Sequence, residues 1–195
     1  MNLRLFLALE PPDPVRRRLA AIQERLRHQA GRHADEVRWV APGSIHLTLQ
    51  FLGAVPEERV EAIQRTVEEV AAGSRPLRLE LRGAGGFPNA RRPRVLFTSL
   101  GGEVEELGRL VAEIGLRLSP LGFPPEERRF SPHLTHGRAR DGRGAAGLGG
   151  ALASASSEEA VPWRAEEIVL FRSHLSPGGA RHEAIGRFRL GPAAA

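Results

Sequence analysis

The sequence predicts an α+β fold of two pseudo-symmetric lobes, each a mostly antiparallel sheet with helices packed outside, around a central groove. Three observations predict it. A strand–helix–strand order occurs twice in 195 residues, with extra strands after each unit. Leu5-Phe6…Leu9 matches Leu96-Phe97…Leu100 at an offset of 91, and Ile45-His-Leu-Thr-Leu49 matches Pro132-His-Leu-Thr-His136 at an offset of 87. Helices that do not alternate strictly with strands favour this class over a doubly wound parallel sheet. The expected organisation is one bilobal domain over residues 1–195, repeating at roughly 1–90 and 91–195, with interleaved lobes.

Asn2–Leu9 reads as a strand, with Leu3, Leu5, Leu7 and Leu9 on one face. Asp13-Pro14 supplies an N-cap followed by proline at the first helical position. Val15, Leu19, Ile22 and Leu26 then recur at helical spacing, and Gly31 is the expected stop. Val37–Val40 and Ile45–Leu52 read as strands. Pro56–Ala72 reads as a helix, with Val60, Ile63, Val67 and Val70 on one stripe. Leu77–Leu81 and Arg94–Leu100 are strands separated by a Gly/Pro/Arg loop. Glu103–Leu118 is a helix with Val104, Leu107, Val111, Ile114 and Leu118 on its apolar face. Arg129–His136 is strand-like. Residues 141–160 are rich in Gly, Ala and Ser and read as a loop or a weak helix. The strands Glu167–Leu175 and Arg181–Leu190 follow, joined by the turn Ser176-Pro-Gly-Gly179.

At 41% hydrophobic and 26% charged residues, the composition is that of a folded globular chain. Cysteine is absent, which excludes a disulfide scaffold, a thiolate nucleophile and cysteine-based metal sites. The apolar run Leu3–Leu9 carries Arg4 and stops at Glu10, too short for a signal segment or a membrane span. A cytoplasmic protein is expected, a monomer with no membrane partner.

All 28 basic residues are arginine, against 23 acids, for a net charge of +5. Residues 1–74 are neutral, whereas residues 75–94 hold six arginines and one acid. That stretch ends in Asn89-Ala-Arg-Arg-Pro-Arg94. It is either a solvated loop or a basic rim, in which Arg91, Arg92 and Arg94 steer a polyanion.

His46-Leu-Thr48 and His133-Leu-Thr135 carry the most chemistry. On a strand, alternate side chains share a face, so His46 and Thr48 point one way, as do His133 and Thr135. A single His-X-Thr is usually only a strand. Two copies at matching places in a repeat argue for a groove lined by two imidazoles and two hydroxyls. Cleaving a phosphodiester needs one group to take a proton and one to give a proton, and histidine does either near neutral pH. Threonine hydroxyls donate to phosphoryl oxygens. His136 has the opposite parity to His133, and no acid adjoins either motif, so no metal or other cofactor is expected.

The two motifs, with Arg4-Leu-Phe-Leu-Ala8, His46-Leu-Thr-Leu-Gln-Phe-Leu-Gly53, Gly86-Phe-Pro88 before Arg92-Pro-Arg-Val95, Phe130-Ser-Pro-His-Leu-Thr135 with Arg138, and Phe171-Arg-Ser-His-Leu175 before Gly178, resemble the two-histidine phosphoesterase superfamily. Within it, the chain is similar to the bacterial and archaeal RNA 2′,3′-cyclic phosphodiesterases, also named 2′-5′ RNA ligases. The resemblance implies metal-independent hydrolysis of 2′,3′-cyclic phosphate at RNA ends, leaving a 2′-phosphate. It implies His46 as general acid toward O3′, His133 as general base toward water, and Thr48, Thr135 and Arg138 as phosphate-binding residues. By parity Arg138 lies on the opposite face from His133, so that role requires a bulge or a strand end. Two other readings stand beside it: an ATP-independent 2′-5′ ligase for tRNA halves, and a non-catalytic module that binds RNA ends. The chain departs from the family at His136, usually aliphatic, and at His182, usually tyrosine. His136 is expected to be structural, and His28, His33 and His174 surface or structural.

Overall fold

The computed structural model describes residues 1–141, 144–145, 147–155, 160–176 and 179–191. In chain order the strands are β1 (Asn2–Leu9), β2 (Val37–Trp39), β3 (Leu47–Pro56), β4 (Leu77–Phe87), β5 (Val95–Gly102), β6 (His133–Ala139), β7 (Val161–Ala165), β8 (Glu167–Ser176) and β9 (Gly179–Arg189). The helices are α1 (Asp13–Ala30), α2 (Val60–Ala72), α3 (Val104–Leu118) and α4 (Gly149–Ala155). None of them is long and apolar enough to cross a membrane.

The strands form two sheets, ordered β3-β1-β8-β9 and β2-β6-β5-β4-β7, with every pairing antiparallel. The α+β class and the two-sheet symmetry are as the sequence predicts. In each sheet a His-Leu-Thr strand flanks a central strand: β3 beside β1, and β6 beside β5. The elements cross over between halves. β4 follows α2 in the chain but pairs with β5, while β8 and β9 pair beside β1. Helices cross too: α1 packs on α4 and β7, while α2 and α3 pack together over β3, β8 and β9.

This arrangement covers one face of each sheet and leaves the other for the groove. On β1, Leu3, Leu5, Leu7 and Leu9 enter the main core, whereas Phe6 and Ala8 face the other way and form a small separate cluster with Val169 and Phe171. The core includes Leu19, Leu26, Ile63, Val67, Leu96, Ile114 and Leu134, each fully buried.

Several boundaries differ from those expected. Asp13 lies in the first turn of α1 rather than at its cap, which is Pro12, and there its carboxylate still favours the positive helix end. Gly31 does end α1, at a φ of 53°, a left-handed conformation that glycine adopts without strain. The segment Glu57–Arg59 is a 3-10 turn, and α2 begins at Val60. β4 runs on through Gly83–Gly86, expected as loop, where Gly85 admits a ring from β5 and Gly86 admits Pro93: a Cβ on Gly85 would lie 2.7 Å from Phe97, and one on Gly86 2.6 Å from Pro93.

The β6 strand starts at His133, four residues later than expected at its N-terminal end, and continues to Ala139. Within 141–160 a short helix forms over Gly149–Ala155, while 142, 143, 146 and 156–159 lie outside the described residues. β7 was not expected at all. In the final turn, 177 and 178 lie outside the described residues.

Candidate active site

Both histidines stand where an irregular segment enters a strand. The 3-10 turn Pro42–Ser44 precedes His46, and Leu47 begins β3. Ser131-Pro132 precedes His133, with the proline biasing Ser131 toward extended backbone. In each case the imidazole Nδ1 bonds the serine carbonyl two residues back: His46 to Ser44 at 2.8 Å, His133 to Ser131 at 2.7 Å. A carbonyl only accepts, so both Nδ1 atoms carry the hydrogen and, in the neutral rings, both Nε2 atoms are left as acceptors. The serine carbonyls were not foreseen, although the Ser-X-His-Leu-Thr repeat was visible.

Strand pairing then fixes what lies beside each motif. Ala8 pairs with Thr48 and Leu7 with Gln50, so Leu49 is an extra, bulged residue. Phe97 pairs with Thr135 and Leu96 with Gly137, so His136 is the corresponding extra residue. The two bulges keep the sequence offset of the motifs. The central strands do not: pairing relates Ala8 to Phe97, whereas sequence matching relates Phe6 to it. The two-residue difference preserves the face.

The second bulge settles the parity of Arg138. Arg138 pairs with Val95, which shares a face with Phe97 and Ser99, the partners of Thr135 and His133. Arg138 thus projects from the same face as the motif and is exposed. Its structural counterpart in the other half is Phe51, paired with Phe6 and 57% exposed.

Phenylalanines back both imidazoles. His46 stacks on Phe6 at 4.8 Å, and Phe6 stacks on Phe171 at 5.2 Å. His133 meets the edges of Phe87 and Phe97 at 5.2 and 5.6 Å. His182 on β9 stands edge-on to His46 at 5.1 Å, with its Nδ1 buried and unbonded among the described residues. The position where the family usually has tyrosine thus stands against His46. Glu10, also unforeseen, lies nearby in ion pairs with Arg16 at 3.1 Å and Arg187 at 2.7 Å.

These surroundings act on His46. Burial pushes its pKa down to about 4, and the His182 imidazole and the Arg138 guanidinium push the same way. The Ser44 carbonyl and the Glu10 carboxylate oppose them. Burial also lowers His182.

His136 is buried in the wall behind the site. Its Nε2 bonds the Thr98 hydroxyl at 2.7 Å, while its Nδ1 has no partner among the described residues, and burial lowers its pKa to about 4. The Gln23 amide donates to the carbonyls of Val40 and His136 at 2.8 and 2.9 Å, tying α1 to the bulge. Gln50 likewise donates to the carbonyls of Phe123 and Pro124, both at 3.1 Å, holding the segment that leads to His133. His33 and His174 pair with Glu36 and Glu183 on the surface.

One groove of about 1260 Å³ is lined by Thr48, Phe51, Phe87, Arg94, Arg129 and His133, among others; of the two motifs it brings together Thr48 and His133, while His46, Thr135 and Arg138 do not line it. Thr48 and Thr135 are half-buried. Arg91 and Arg92 are exposed on the β4–β5 loop, where the Asn89 side chain accepts from both backbone amides at 3.1 Å. Among the described residues no three His, Asp or Glu side chains converge as a metal ligand set.

The arrangement matches known proteins over nearly its whole length. The LigT like Phosphoesterase family model matches residues 9–97 and 102–182. An RNA 2′,3′-cyclic phosphodiesterase of Methanothermobacter thermautotrophicus is 32% identical over 191 residues, covering 97% of this chain and 100% of the relative. A crystal structure of a Thermus thermophilus protein is 28% identical, with a TM-score of 0.78 over 98% of this chain and 100% of that one. The Escherichia coli LigT structure with 3′-AMP, 24% identical, shares the fold at a TM-score of 0.68 over 97% of this chain and 99% of that one.

Proposed function

The chain belongs to the LigT-like phosphoesterases, and from that premise we propose that it hydrolyses RNA 2′,3′-cyclic phosphate ends to 2′-phosphates by metal-independent two-histidine acid–base catalysis. The observation that carries this reading is the mirrored pair of serine–histidine bonds, each beside a threonine on the groove face.

In this mechanism the His133 Nε2 takes a proton from water, whose oxygen attacks phosphorus. The P–O3′ bond breaks, and the His46 Nε2 gives its proton to the departing O3′. Thr48 and Thr135 donate to the non-bridging oxygens, and Arg138 offsets the charge they carry. An imidazole held at about 4 is mostly neutral in the empty groove at neutral pH. The cyclic phosphate is an anion, and its approach favours the protonated form, so His46 takes up its catalytic proton from solvent as the substrate binds.

Incubation of the protein with a short RNA ending in 2′,3′-cyclic phosphate tests the proposal. The expected product is the 2′-phosphate, at a rate unchanged by EDTA. His46→Ala and His133→Ala should each lower turnover by about 10²–10⁴-fold with the fold intact by circular dichroism. A 3′-phosphate product would reverse the leaving oxygen. Full activity in either variant would sink the mechanism, and loss in EDTA would sink the metal-free part.

A further inference from the structure

Arg38 lies on the edge strand β2 and pairs directly with Arg138 on β6. Directly opposed residues of an antiparallel ladder project from one face, with Cβ atoms about 4.5–5.5 Å apart. Arg138 pairs onward with Val95, and Val95 with Phe87. Arg38, Arg138, Val95 and Phe87 therefore form one row across the groove face, next to the row of Thr135 and Phe97. The neighbours of Arg38 turn the other way: Val37 is buried, and Trp39 packs against the core.

Both arginines are exposed, and neither forms an ion pair among the described residues. Many other arginines do, such as Arg16, Arg75, Arg117 and Arg187. Like charges set directly opposite one another destabilise a ladder, unless an anion lies between them. Arg94 comes to the same end of the sheet, its carbonyl accepting from the Ala139 amide at 2.9 Å. The row is thus a cationic edge continuous with the phosphate-binding strip of Thr135 and Arg138.

We propose that Arg38 extends that strip to a second phosphate, the phosphodiester preceding the reacting terminal nucleotide, so that an oligonucleotide is a better substrate than a mononucleotide. The guanidinium's planar fork suits a phosphodiester oxygen pair. This inference rests on the hydrolytic reading above.

The test compares adenosine 2′,3′-cyclic phosphate with a trinucleotide RNA ending in 2′,3′-cyclic phosphate. Arg38→Gln should raise KM for the trinucleotide about 10-fold, the scale of one charge-assisted contact, and leave kcat unchanged. It should leave the mononucleotide's kinetics unchanged. The salt dependence of the trinucleotide KM should weaken by about 0.7 in log–log slope, the value for one single-strand phosphate contact. Arg38→Lys should restore part of the loss. Equal losses on both substrates, or none on either, would overturn the second-phosphate role of Arg38. Turnover of neither substrate by the unaltered protein would overturn the hydrolytic reading and that role with it. Turnover of both substrates, unchanged by Arg38→Gln, would overturn the role of Arg38 alone.

Discussion

His46 and His133 are held by the same device and set in different company. Each donates Nδ1–H to a serine carbonyl two residues back, each is followed by a half-buried threonine, and each threonine precedes a one-residue bulge. The company differs at three points. The bulged residue is Leu49 in one half and His136 in the other. Beyond the bulge stands Phe51 in one half and Arg138 in the other. A third imidazole, His182, crowds His46, while His133 meets two phenylalanine edges. What repeats is the serine–histidine bond that fixes each ring and leaves its Nε2 as the acceptor. What does not repeat is the charge and the burial around the rings, the quantities that on the proposed mechanism would separate an acid from a base.

The largest test of the comparison removes what the halves share. Thr48→Ala and Thr135→Ala should each lower kcat, on the order of 10²-fold, the scale of losing one preorganised donor to a charged transition state. Equivalent positions predict losses within a few-fold of each other, read from single-turnover rates on the same RNA. A large loss in one and none in the other would show that the repeat is structural at the silent position.

A second test makes the two bulges alike. His136→Leu installs the side chain type of Leu49 and removes a buried imidazole whose Nδ1 is unbonded among the described residues. The sign follows from linkage. With a folded pKa of about 4, below the unfolded value near 6.5, stability is full above pH 6.5 and is lost as pH falls toward 4. His136 thus contributes a loss on the order of 3 kcal/mol across that window. The variant should flatten the fall in urea midpoint between pH 6.5 and 4. An unchanged slope would mean that His136 does not stay neutral in the folded chain. Thr98→Val, by contrast, strands the imidazole and should cost about 1–3 kcal/mol at neutral pH.

Much of this was legible in the sequence, and the rest was not for definable reasons. The apolar spacing of Leu3–Leu9, α2 and α3 is set by local periodicity, and the two-lobed α+β class followed from it. Strand parity alone puts Thr48 and Thr135 on the face away from Leu47, Leu49 and Leu134, which enter the core. Parity failed at Arg138, because a bulge is a property of two strands together: Leu96 and Phe97 skip His136. Gly83–Gly86 reads as loop, whereas in the strand Gly85 makes room for the Phe97 ring and Gly86 for Pro93. β7, with Pro162 inside it, lacks the apolar run of a central strand and owes its place to pairing with β4. Arg38 looked like any other arginine until the β2 register set it against Arg138.

The smallest expected effect concerns His182, which crowds only one of the two imidazoles. Its charged form lowers the pKa of His46, in the same direction as burial and Arg138. His182→Phe keeps the ring beside Phe6 and removes the titrating nitrogens, so the His46 pKa should rise. The rise should be modest, since burial is the first cause of the depression and remains. Titration of the His46 ring protons by NMR reads it directly: near pH 4 in the empty protein, higher in His182→Phe, and higher still with adenosine 2′-monophosphate bound. The ordering of the last two is the informative part. If the anion moves His46 more than removal of a neighbouring imidazole does, then the asymmetry between the halves is a property of the empty groove, which the substrate cancels by bringing its own charge.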